Sequence, residues 1–539
     1  DKNETQNPDG EIIKYFAKAL KGEDEFPDYF TEEAIAAYHN IKIVASDENK
    51  TLNIVPLMLR DSDVYDAVDA IGFHYRTNAT DDYIKMADVN DKEVWYSEGC
   101  ATFGYSELQE NKTTEYGANT IGGYQSPLAL LDSIPNAFVG SRRTMYMFQP
   151  AIGSFYEGIQ YGHKELLSAR DPWSGYIHYD PVLYMLAHIT QFAKTGWEND
   201  TNTNGIWRVL PNATFASFGA SDNEHATAGI DGNASYMTLA APDKKNFSTV
   251  FINNTQNEKT FAVKIADDMD LSVDALHVWT TVTDSYLQKG EDAAIENGIA
   301  TITVPAYSVV TATTLDTTPA RLPTEKDDGD YIQTETRSVL DTDSTGKNAD
   351  TTDDYLYADN FEYVEEGKVA GYNVATSEET LQDYIVSRGN EPRYMLDTHG
   401  AWIVEDGQLK QENDASVNQW NGGDPATIVG DWRWMDYSAS IDVTLPNAEA
   451  GRYERLTIRA QTGMNWNNSG YTLEINGAGS WKLFRIGTQV ANGTVAKNAE
   501  GKYNLKLIGL GSTVYAYIDD VRVAKYNDAN PMLSGRVKI

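Results

Sequence analysis

The sequence predicts a multidomain protein in which an α/β region is followed by two all-β regions. The chain has 539 residues, enough for several domains of about 100–200 residues each. Over residues 1–200, short apolar strands alternate with helical segments, which is typical of parallel β/α units. From about residue 205 onward, strands instead alternate with turns rich in Asn, Gly and Asp, which is typical of β-sandwiches.

The α/β region contains a helix and four strands that the pattern indicates directly. Residues 11–20 carry apolar side chains at helical spacing, and Gly22 follows as a stop signal. Four short apolar runs end in polar or aromatic residues and are predicted strands: residues 41–47, 68–75, 93–98 and 144–149. In a (β/α)8 barrel, the carboxyl ends of such strands carry the active site. Because only four units are visible, we expect residues 1–200 to form the C-terminal half of a TIM barrel, from strand 4 or 5 to strand 8.

Residues 201–320 are predicted to form a β-sandwich, with strands at 248–252 and 300–304. Residues 321–354 are predicted to be an acidic linker, since residues 324–360 hold 11 Asp and Glu against 3 Lys and Arg. A structural calcium site is the alternative for so acidic a stretch, although EF-hand spacing is absent from it.

Residues 355–539 are predicted to form a second β-sandwich. Its clearest strands are residues 439–445 and 514–519, which alternate apolar and polar side chains. The sequence stops at residues 536–539, in what we expect to be the middle of a strand.

The charge balance excludes some classes of partner. The chain has 43 Lys and Arg against 80 Asp and Glu, a net charge of -37, which disfavours binding to nucleic acid or anionic membrane. No run approaches the ~18–20 apolar residues of a membrane span. The 33 Tyr and 11 Trp suit stacking on sugar rings and also suit ordinary β-sandwich cores.

The termini and the cysteine content bear on the compartment. Cys100 is the only cysteine, so an intramolecular disulfide is excluded; this fits the cytosol, and it also fits bacterial secreted enzymes that avoid cysteine. The chain opens with Asp1 and has no signal-type apolar stretch, so we expect the natural N-terminus to be absent.

Glu98 is the leading candidate for chemistry. It ends a strand that is apolar or aromatic on both faces, which would place a carboxylate at a barrel mouth. Two carboxylates about 5–5.5 Å apart are the arrangement of a retaining glycosidase, in which one attacks the anomeric carbon and the other acts as acid and then base. The alternative is that Glu98 is a solvated strand end.

Glu4 is the candidate for the second carboxylate. It lies in an Asn3–Glu4 pair that leads into the first predicted helix. The pair resembles the Asn-Glu that ends the fourth strand in the superfamily of retaining barrel glycosidases, where Asn binds the sugar 2-hydroxyl. The alternative is a frayed terminus. If the resemblance holds, the chain begins where strand four ends, and we expect this segment alone to be inactive.

A longer series of segments resembles one family, glycoside hydrolase family 59, the galactocerebrosidase family. The resemblance begins with residues 41–47, 68–75 and 95–98, and it continues in the last domain, which implies a lectin-like β-sandwich of the jelly-roll type. The segments that match best are Asp171-Pro172-Trp173-Ser174-Gly175, Asp180-Pro181-Val182, residues 187–192 and Gly196-Trp197; those in the last domain are residues 392–394, 400–402 and 428–432.

The resemblance implies roles for individual residues. Glu98 would be the nucleophile, Glu4 the acid/base and Asn3 the ligand of the 2-hydroxyl. Residues that would line the galactose pocket are His74, Tyr75 and Tyr161, and Lys410 would stand where the family has an arginine that reaches the active site. The alternatives are a core histidine bonded to backbone for His74 and simple packing for Tyr161.

Three departures from the family pattern lie around the rim of the site. Phe148 or Gln149 stands where the family has a pocket tryptophan, and Cys100 and Ala101 follow the nucleophile where the family has a bulkier residue and a serine. Lys410 cannot make the planar fork of arginine. These changes put specificity for ceramide in doubt more than the glycosidic chemistry.

The sequence therefore predicts a retaining exo-β-galactosidase that acts on a galactosylceramide-like lipid or another β-galactoside. The alternatives are a non-catalytic carbohydrate-binding surface protein, or a barrel glycosidase acting on a β-glucoside or β-1,6-galactan. Catalysis by two carboxylates needs no cofactor. We expect a secreted or cell-surface protein of bacterial origin in preference to a lysosomal enzyme.

Overall fold

The computed structural model describes residues 9–22, 26–48, 53–74, 80–99, 127–148, 151–154, 166–169, 177–179, 181–193, 206–217, 233–283, 285–319, 355–361, 391–413, 424–431, 434–445, 451–461, 467 and 469–539. The chain divides into two compact units. The first comprises Asp1–Gly153, His163–Ser168 and His178–Glu325, and the second comprises Ser154–Gly162, Ala169–Ile177 and Lys326–Ile539.

The first unit opens with a four-stranded parallel sheet whose strands are separated by helices. Its strand order is β1-β2-β3-β4, so each strand pairs with the next one along the chain. All four predicted strands are present. The elements are α1 Gly10–Lys21, α2 Glu32–His39, β1 Val44–Glu48, α3 Ile54–Arg60, α4 Ser62–Ala67, β2 Ala70–His74, α5 Asp81–Asp88, β3 Glu93–Gly99, α6 Pro127–Ser141 and β4 Arg143–Phe148.

The ends of α1 follow from its sequence. The Asp9 side chain caps the first turn, accepting hydrogen bonds from the backbone N–H groups of Glu11 and Ile12 at 3.0 and 3.3 Å. Gly22 ends the helix in the left-handed conformation, with φ +99°, and its N–H donates to the carbonyl of Lys18. The predicted helix and its stop at Gly22 are thus confirmed.

One face of this sheet packs on the helices. Ile71 and Phe73 of β2 are fully buried in a cluster with Val94 of β3 and side chains from α3, α4 and α5. Because side chains alternate along a strand, Gly72 lies on the opposite face. Helices covering a parallel sheet explain why its strands appear in the sequence as apolar runs.

Three short strands and a helix follow β4. The strands form their own sheet in the order β5-β6-β7. The elements are β5 Ile152–Ser154, β6 Leu167–Ala169, β7 Ile177–Tyr179 and α7 Pro181–Thr190.

The rest of the first unit is a nine-stranded antiparallel sheet, in the order β11-β15-β14-β12-β16-β10-β9-β8 with β13 beside β12. Its strands are β8 Arg208–Val209, β9 Ser235–Ala240, β10 Phe247–Asn253, β11 Lys259–Lys264, β12 Ala275–Val282, β13 Ser285–Lys289, β14 Ala293–Glu296, β15 Ile299–Val304 and β16 Ser308–Thr313. The predicted strands at 248–252 and 300–304 are β10 and β15.

Strand β10 is buried along its whole length because both of its faces are covered. Val250 and Ile252 pack with side chains of α6 and α7, in a cluster that includes Leu131. Phe251 points the other way and packs with Ile302 of β15. The helices of the α/β part therefore share a core with the antiparallel sheet, and the predicted boundary between residues 200 and 201 stays a prediction.

The second unit is all-β in its described part. A seven-stranded sheet, β17-β20-β29-β22-β23-β24-β25, and a four-stranded sheet, β21-β26-β27-β28, supply the side chains of one core, and β18 and β19 form a hairpin. The strands are β17 Met395–His399, β18 Trp402–Glu405, β19 Gln408–Gln411, β20 Ala426–Val429, β21 Tyr437–Thr444, β22 Tyr453–Ala460, β23 Tyr471–Asn476, β24 Ser480–Arg485, β25 Thr488–Thr494, β26 Lys502–Leu510, β27 Thr513–Ile518, β28 Val521–Asn527 and β29 Arg536–Lys538.

The predicted strands of this region are β21 and β27, and the last residues of the chain include β29. An α/β part followed by antiparallel sheets agrees with the predicted fold class. Within the described ranges, no helix is both long and apolar enough to cross a membrane.

Candidate active site

Three titratable side chains meet at the carboxyl edge of the parallel sheet. Asp47, His74 and Glu98 lie near the ends of β1, β2 and β3, respectively. His74 pairs in register with Glu98, and Asp47 lies at an irregularity of β1 between the paired residues Ser46 and Glu48. Because all three strands run in the same direction, their carboxyl ends lie at one edge.

His74 lies between the two carboxylates. Its Nε2 is 2.8 Å from Oδ1 of Asp47, and its Nδ1 is 3.4 Å from Oε2 of Glu98. The side chain of His74 is 13% exposed, against 57% for Asp47 and 27% for Glu98. Glu98 is thus partly accessible at the sheet edge, while the imidazole beside it is largely covered.

Burial and the neighbouring charges shift the pKa of His74 in opposing directions. Burial lowers the pKa of His74, but the hydrogen bond to Asp47 and the negative charges of Asp47 and Glu98 outweigh it, so the pKa is raised overall. The positive charge of Arg143 acts with burial against this rise. The hydrogen bond from His74 in turn lowers the pKa of Asp47 against the effect of burial, and Ser97 adds to the lowering.

A glycine allows the strands behind this cluster to approach closely. A Cβ atom at Gly72 would lie 2.7 Å from Cγ1 of Val44 and 2.9 Å from Oγ of Ser97. Both distances are shorter than van der Waals contact, so any larger residue would push one neighbour away. Gly72 therefore sets the spacing of β1, β2 and β3 two residues before His74.

An arginine and two aromatic rings lie beneath the edge. The Arg143 guanidinium lies 3.6 Å from the ring centroid of Phe73 and 4.4 Å from that of Tyr96, and the side chain is 4% exposed. Tyr96 stacks on Tyr146 with centroids 4.1 Å apart. The hydroxyl of Tyr146 forms a 2.6 Å hydrogen bond with Ser133 of α6. This packing holds β2, β3 and β4 together below the cluster.

The structure brings together two of the residues predicted for the site, Glu98 and His74. Four others lie outside the described residues, and their roles stay predictions: Asn3, Glu4, Tyr75 and Tyr161. Of the departures at the rim, Gln149, Cys100 and Ala101 also lie outside the described residues, whereas Phe148 ends β4 with its ring centroid 5.4 Å from that of Tyr146.

Lys410 belongs to the second unit, in the β18–β19 hairpin. Its Nζ lies 2.6 Å from Oε2 of Glu405 and 3.4 Å from Oδ2 of Asp406. The hydrogen bond to Glu405 raises the pKa of Lys410. Its role in sugar binding stays a prediction.

Asp47 is absent from the site that the sequence predicts. The signal was present, since Asp47 ends a predicted strand as a carboxylate, as Glu98 does. Acidic residues at strand ends are common at surfaces, and only the pairing of β1 with β2 brings this one to His74. Among the described residues, no three His, Cys, Asp or Glu side chains form a cluster that could hold a metal ion.

A segment of the chain matches a known protein family. Residues 30–191 match the family described as glycosyl hydrolase family 59. This segment contains the four parallel strands, and with them Asp47, His74 and Glu98.

Individual proteins match over similar or longer stretches. A galactocerebrosidase of Danio rerio is 29% identical over 162 residues, which are 30% of this chain and 21% of that protein. A galactocerebrosidase of Salmo salar is 24% identical over 284 residues, 51% of this chain and 38% of that protein. The matched stretch thus spans about a fifth of the first relative and about two fifths of the second. Among solved structures, a GH30 endoxylanase from Clostridium papyrosolvens is 14% identical, with a TM-score of 0.34, over 56% of this chain and 60% of that chain.

Proposed function

We propose that the protein is a glycoside hydrolase that removes a terminal β-galactosyl residue, because residues 30–191 of this chain match glycosyl hydrolase family 59. The observation that carries the proposal is Glu98, a partly exposed carboxylate at the carboxyl edge of a parallel sheet, 3.4 Å from a histidine. This is the edge at which barrel enzymes hold their catalytic side chains. The names of the relatives point to a galactoside as the substrate.

The proposed mechanism is a double displacement with retention of configuration. Glu98 attacks the anomeric carbon while Glu4 protonates the leaving oxygen, which gives a covalent galactosyl-enzyme. Glu4 then removes a proton from water, which hydrolyses the ester and frees Glu98. Asn3 would bind the 2-hydroxyl, and the other residues proposed to contact the sugar are His74, Tyr75, Tyr161 and Lys410. The substrate would be a galactosylceramide-like lipid or another β-galactoside.

The proposal includes the architecture around this site. Residues 1–200 would be the C-terminal half of a TIM barrel, residues 201–320 a β-sandwich and residues 355–539 a lectin-like β-sandwich. The parallel order of β1 to β4 and the two antiparallel sheets of the second unit support it. We further propose that the protein is secreted or held at the cell surface.

A mechanism-based label tests the nucleophile directly. The complete gene product is incubated with 2-deoxy-2-fluoro-β-galactosyl fluoride, which forms a glycosyl-enzyme that hydrolyses slowly, and the labelled peptide is identified by mass spectrometry. We expect the label on Glu98. In Glu98→Gln we expect no label and a loss of several orders of magnitude in the hydrolysis of an aryl β-galactoside.

Glu93→Gln is the matched control, since Glu93 lies at the other end of the same strand, in an ion pair with Lys42 at 2.5 Å. This variant should keep both labelling and hydrolysis. A label on another carboxylate would remove Glu98 from the role. Failure of the unaltered protein to hydrolyse any β-galactoside would overturn the activity, and other β-glycosides and glycan binding would then be tested.

A further inference from the structure

We propose that Asp47 is a positioning residue for Glu98 and acts through His74, which it orients and keeps protonated beside the nucleophile. The inference deepens the proposed function and rests on it, because it takes Glu98 as the group that attacks the sugar. It adds to the site a carboxylate that lies 2.8 Å from His74 on the side opposite Glu98.

Both ring nitrogens of His74 face carboxylate oxygens. Nε2 faces Oδ1 of Asp47 and Nδ1 faces Oε2 of Glu98, and an ionised carboxylate oxygen can only accept. A neutral imidazole has one N–H, so its other nitrogen would turn a lone pair toward a carboxylate. The imidazolium has two N–H groups and satisfies both contacts, which makes it the form that this arrangement favours.

The charged groups around His74 come from three strands. Among the described residues they are Asp47 from β1, Glu98 from β3 and Arg143 from β4. The two carboxylates favour the cation, while burial and Arg143 oppose it. Removing the charge of Asp47 would leave Glu98 alone to balance these opposing effects.

The reaction gives Asp47 a role that Glu98 cannot fill. As Glu98 attacks, a bond forms between its carboxylate and the anomeric carbon and the bond to the leaving oxygen breaks, so the carboxylate becomes a neutral ester. The largely buried imidazolium then loses one of its two counter-charges. Asp47 still compensates the cation, so His74 keeps its proton and orientation until water frees Glu98 again.

The contact with His74 also aims the nucleophile. The imidazolium nitrogen 3.4 Å from Oε2 of Glu98 restricts the rotation of the carboxylate. Asp47 binds Nε2, the other ring nitrogen, and so holds the orientation of the imidazole ring. Asp47 is therefore separated from the reacting carboxylate by the ring and contributes through it.

The experiment measures the rate of labelling of Glu98 by 2-deoxy-2-fluoro-β-galactosyl fluoride as a function of pH, in the complete gene product. Fluoride leaves without a proton, so the alkaline side of this profile does not report the acid/base residue. In parallel, the titration of His74 is followed by NMR of protein labelled at the histidine ring carbons. The resonance is assigned by its absence from His74→Gln.

In Asp47→Asn we expect the alkaline limb of the labelling profile to move to lower pH, together with the midpoint of the His74 titration. Glu93→Gln, which changes a carboxylate at the opposite end of β3, should leave both unchanged. An Asp47→Asn protein with an unaltered profile and an unaltered His74 titration overturns the positioning role and leaves Glu98 as the nucleophile.

Two further results of this experiment have a defined interpretation. If Asp47→Asn does not fold, His74→Gln decides: loss of the alkaline limb supports the inference, and a limb that persists overturns it. If the unaltered protein is not labelled at Glu98, the proposed function fails and the positioning role fails with it.

Discussion

The imidazole of His188 lies fully buried with its Nδ1 2.8 Å from Oγ1 of Thr311. The Thr311 hydroxyl donates to the carbonyl of His188 at 3.3 Å, so its oxygen is free to accept the ring N–H. Nε2 lies 2.7 Å from Oγ1 of Thr281, whose oxygen accepts the N–H of Leu287 and whose hydroxyl hydrogen can be donated to an unprotonated Nε2. These partners assign a neutral Nδ1–H imidazole that joins α7 to β12 and β16.

This buried histidine should make the protein less stable in acid. Burial lowers the pKa of His188 to about 3 in the folded protein, below its ordinary value. Between about pH 3 and 6.5 the unfolded chain therefore binds a proton that the folded chain does not, and the free energy of unfolding rises with pH across this range. Its contribution is complete above about pH 6.5 and is lost as pH falls.

We expect His188→Gln to flatten this dependence, measured as the denaturant midpoint at several pH values. His39→Gln, at an exposed histidine, is the matched control and should keep the slope of the unaltered protein. Parallel curves for the unaltered protein and His188→Gln would contradict the assignment.

The hydrogen-bond partners of His188 could not be predicted from the sequence. The sequence identifies the segment around it, residues 187–192, as one that resembles the family. Its partners are 93 and 123 residues away and are two of many threonines in alternating strands. Nothing in local periodicity distinguishes Thr281 and Thr311 from threonines that face solvent, so the role of His188 depends on the packing of α7 against the sheet.

At the candidate site, too, the strands can be predicted from the sequence but the contacts between their side chains cannot. The strands are predictable because parallel strands under helices are apolar runs, and Glu98 stands out because it ends one of them. The partner of His74 is not predictable, because irregular pairing at the ends of β1 and β2 decides which polar side chains meet. The register at these strand ends is set by tertiary contacts, and no periodic pattern in the sequence indicates it.

Gly72→Ala should destabilise the parallel sheet next to the site. The added methyl would overlap Val44 and Ser97, so one strand must shift, at a cost of about 1–3 kcal/mol in the free energy of unfolding. Because Gly72 is two residues before His74, we also expect slower labelling of Glu98. Gly290→Ala is the control, since its nearest neighbour would be 3.7 Å away, an ordinary contact. Equal stability and labelling for the two variants would show that β2 tolerates the methyl group.

Arg459 should be essential to the second unit. Its side chain is fully buried, and Nη1 donates to the carbonyls of Gly511 and Met532 at 2.7 and 2.8 Å while Nη2 binds Asp436 at 2.9 Å. Arg459→Met would leave these acceptors without their donor, at a cost of about 1–3 kcal/mol or more. We expect faster amide hydrogen exchange in β22 and β27.

Arg522→Met is the control for this prediction, because Arg522 is an exposed arginine of the same unit. A surface change of this kind should alter stability by no more than about 0.5 kcal/mol. Exchange in Arg459→Met that matches exchange in Arg522→Met would mean that the buried network contributes little.

Arg143 has two separable effects on the site, one through its charge and one through its planar side chain. Its charge lowers the pKa of His74, and its guanidinium packs against the rings of Phe73 and Tyr96. Arg143→Lys keeps the charge and loses the planar group, so it should lower stability by about 0.5–2 kcal/mol and leave the His74 titration close to that of the unaltered protein.

Arg143→Met removes the charge as well, so the His74 titration should move to higher pH, opposite in sign to the shift expected for Asp47→Asn. NMR titration of His74 and thermal unfolding of both variants separate the two effects. A methionine variant in which His74 titrates as in the lysine variant would show that the charge of Arg143 does not reach the imidazole. The pKa of His74 would then be determined by Asp47, Glu98 and burial.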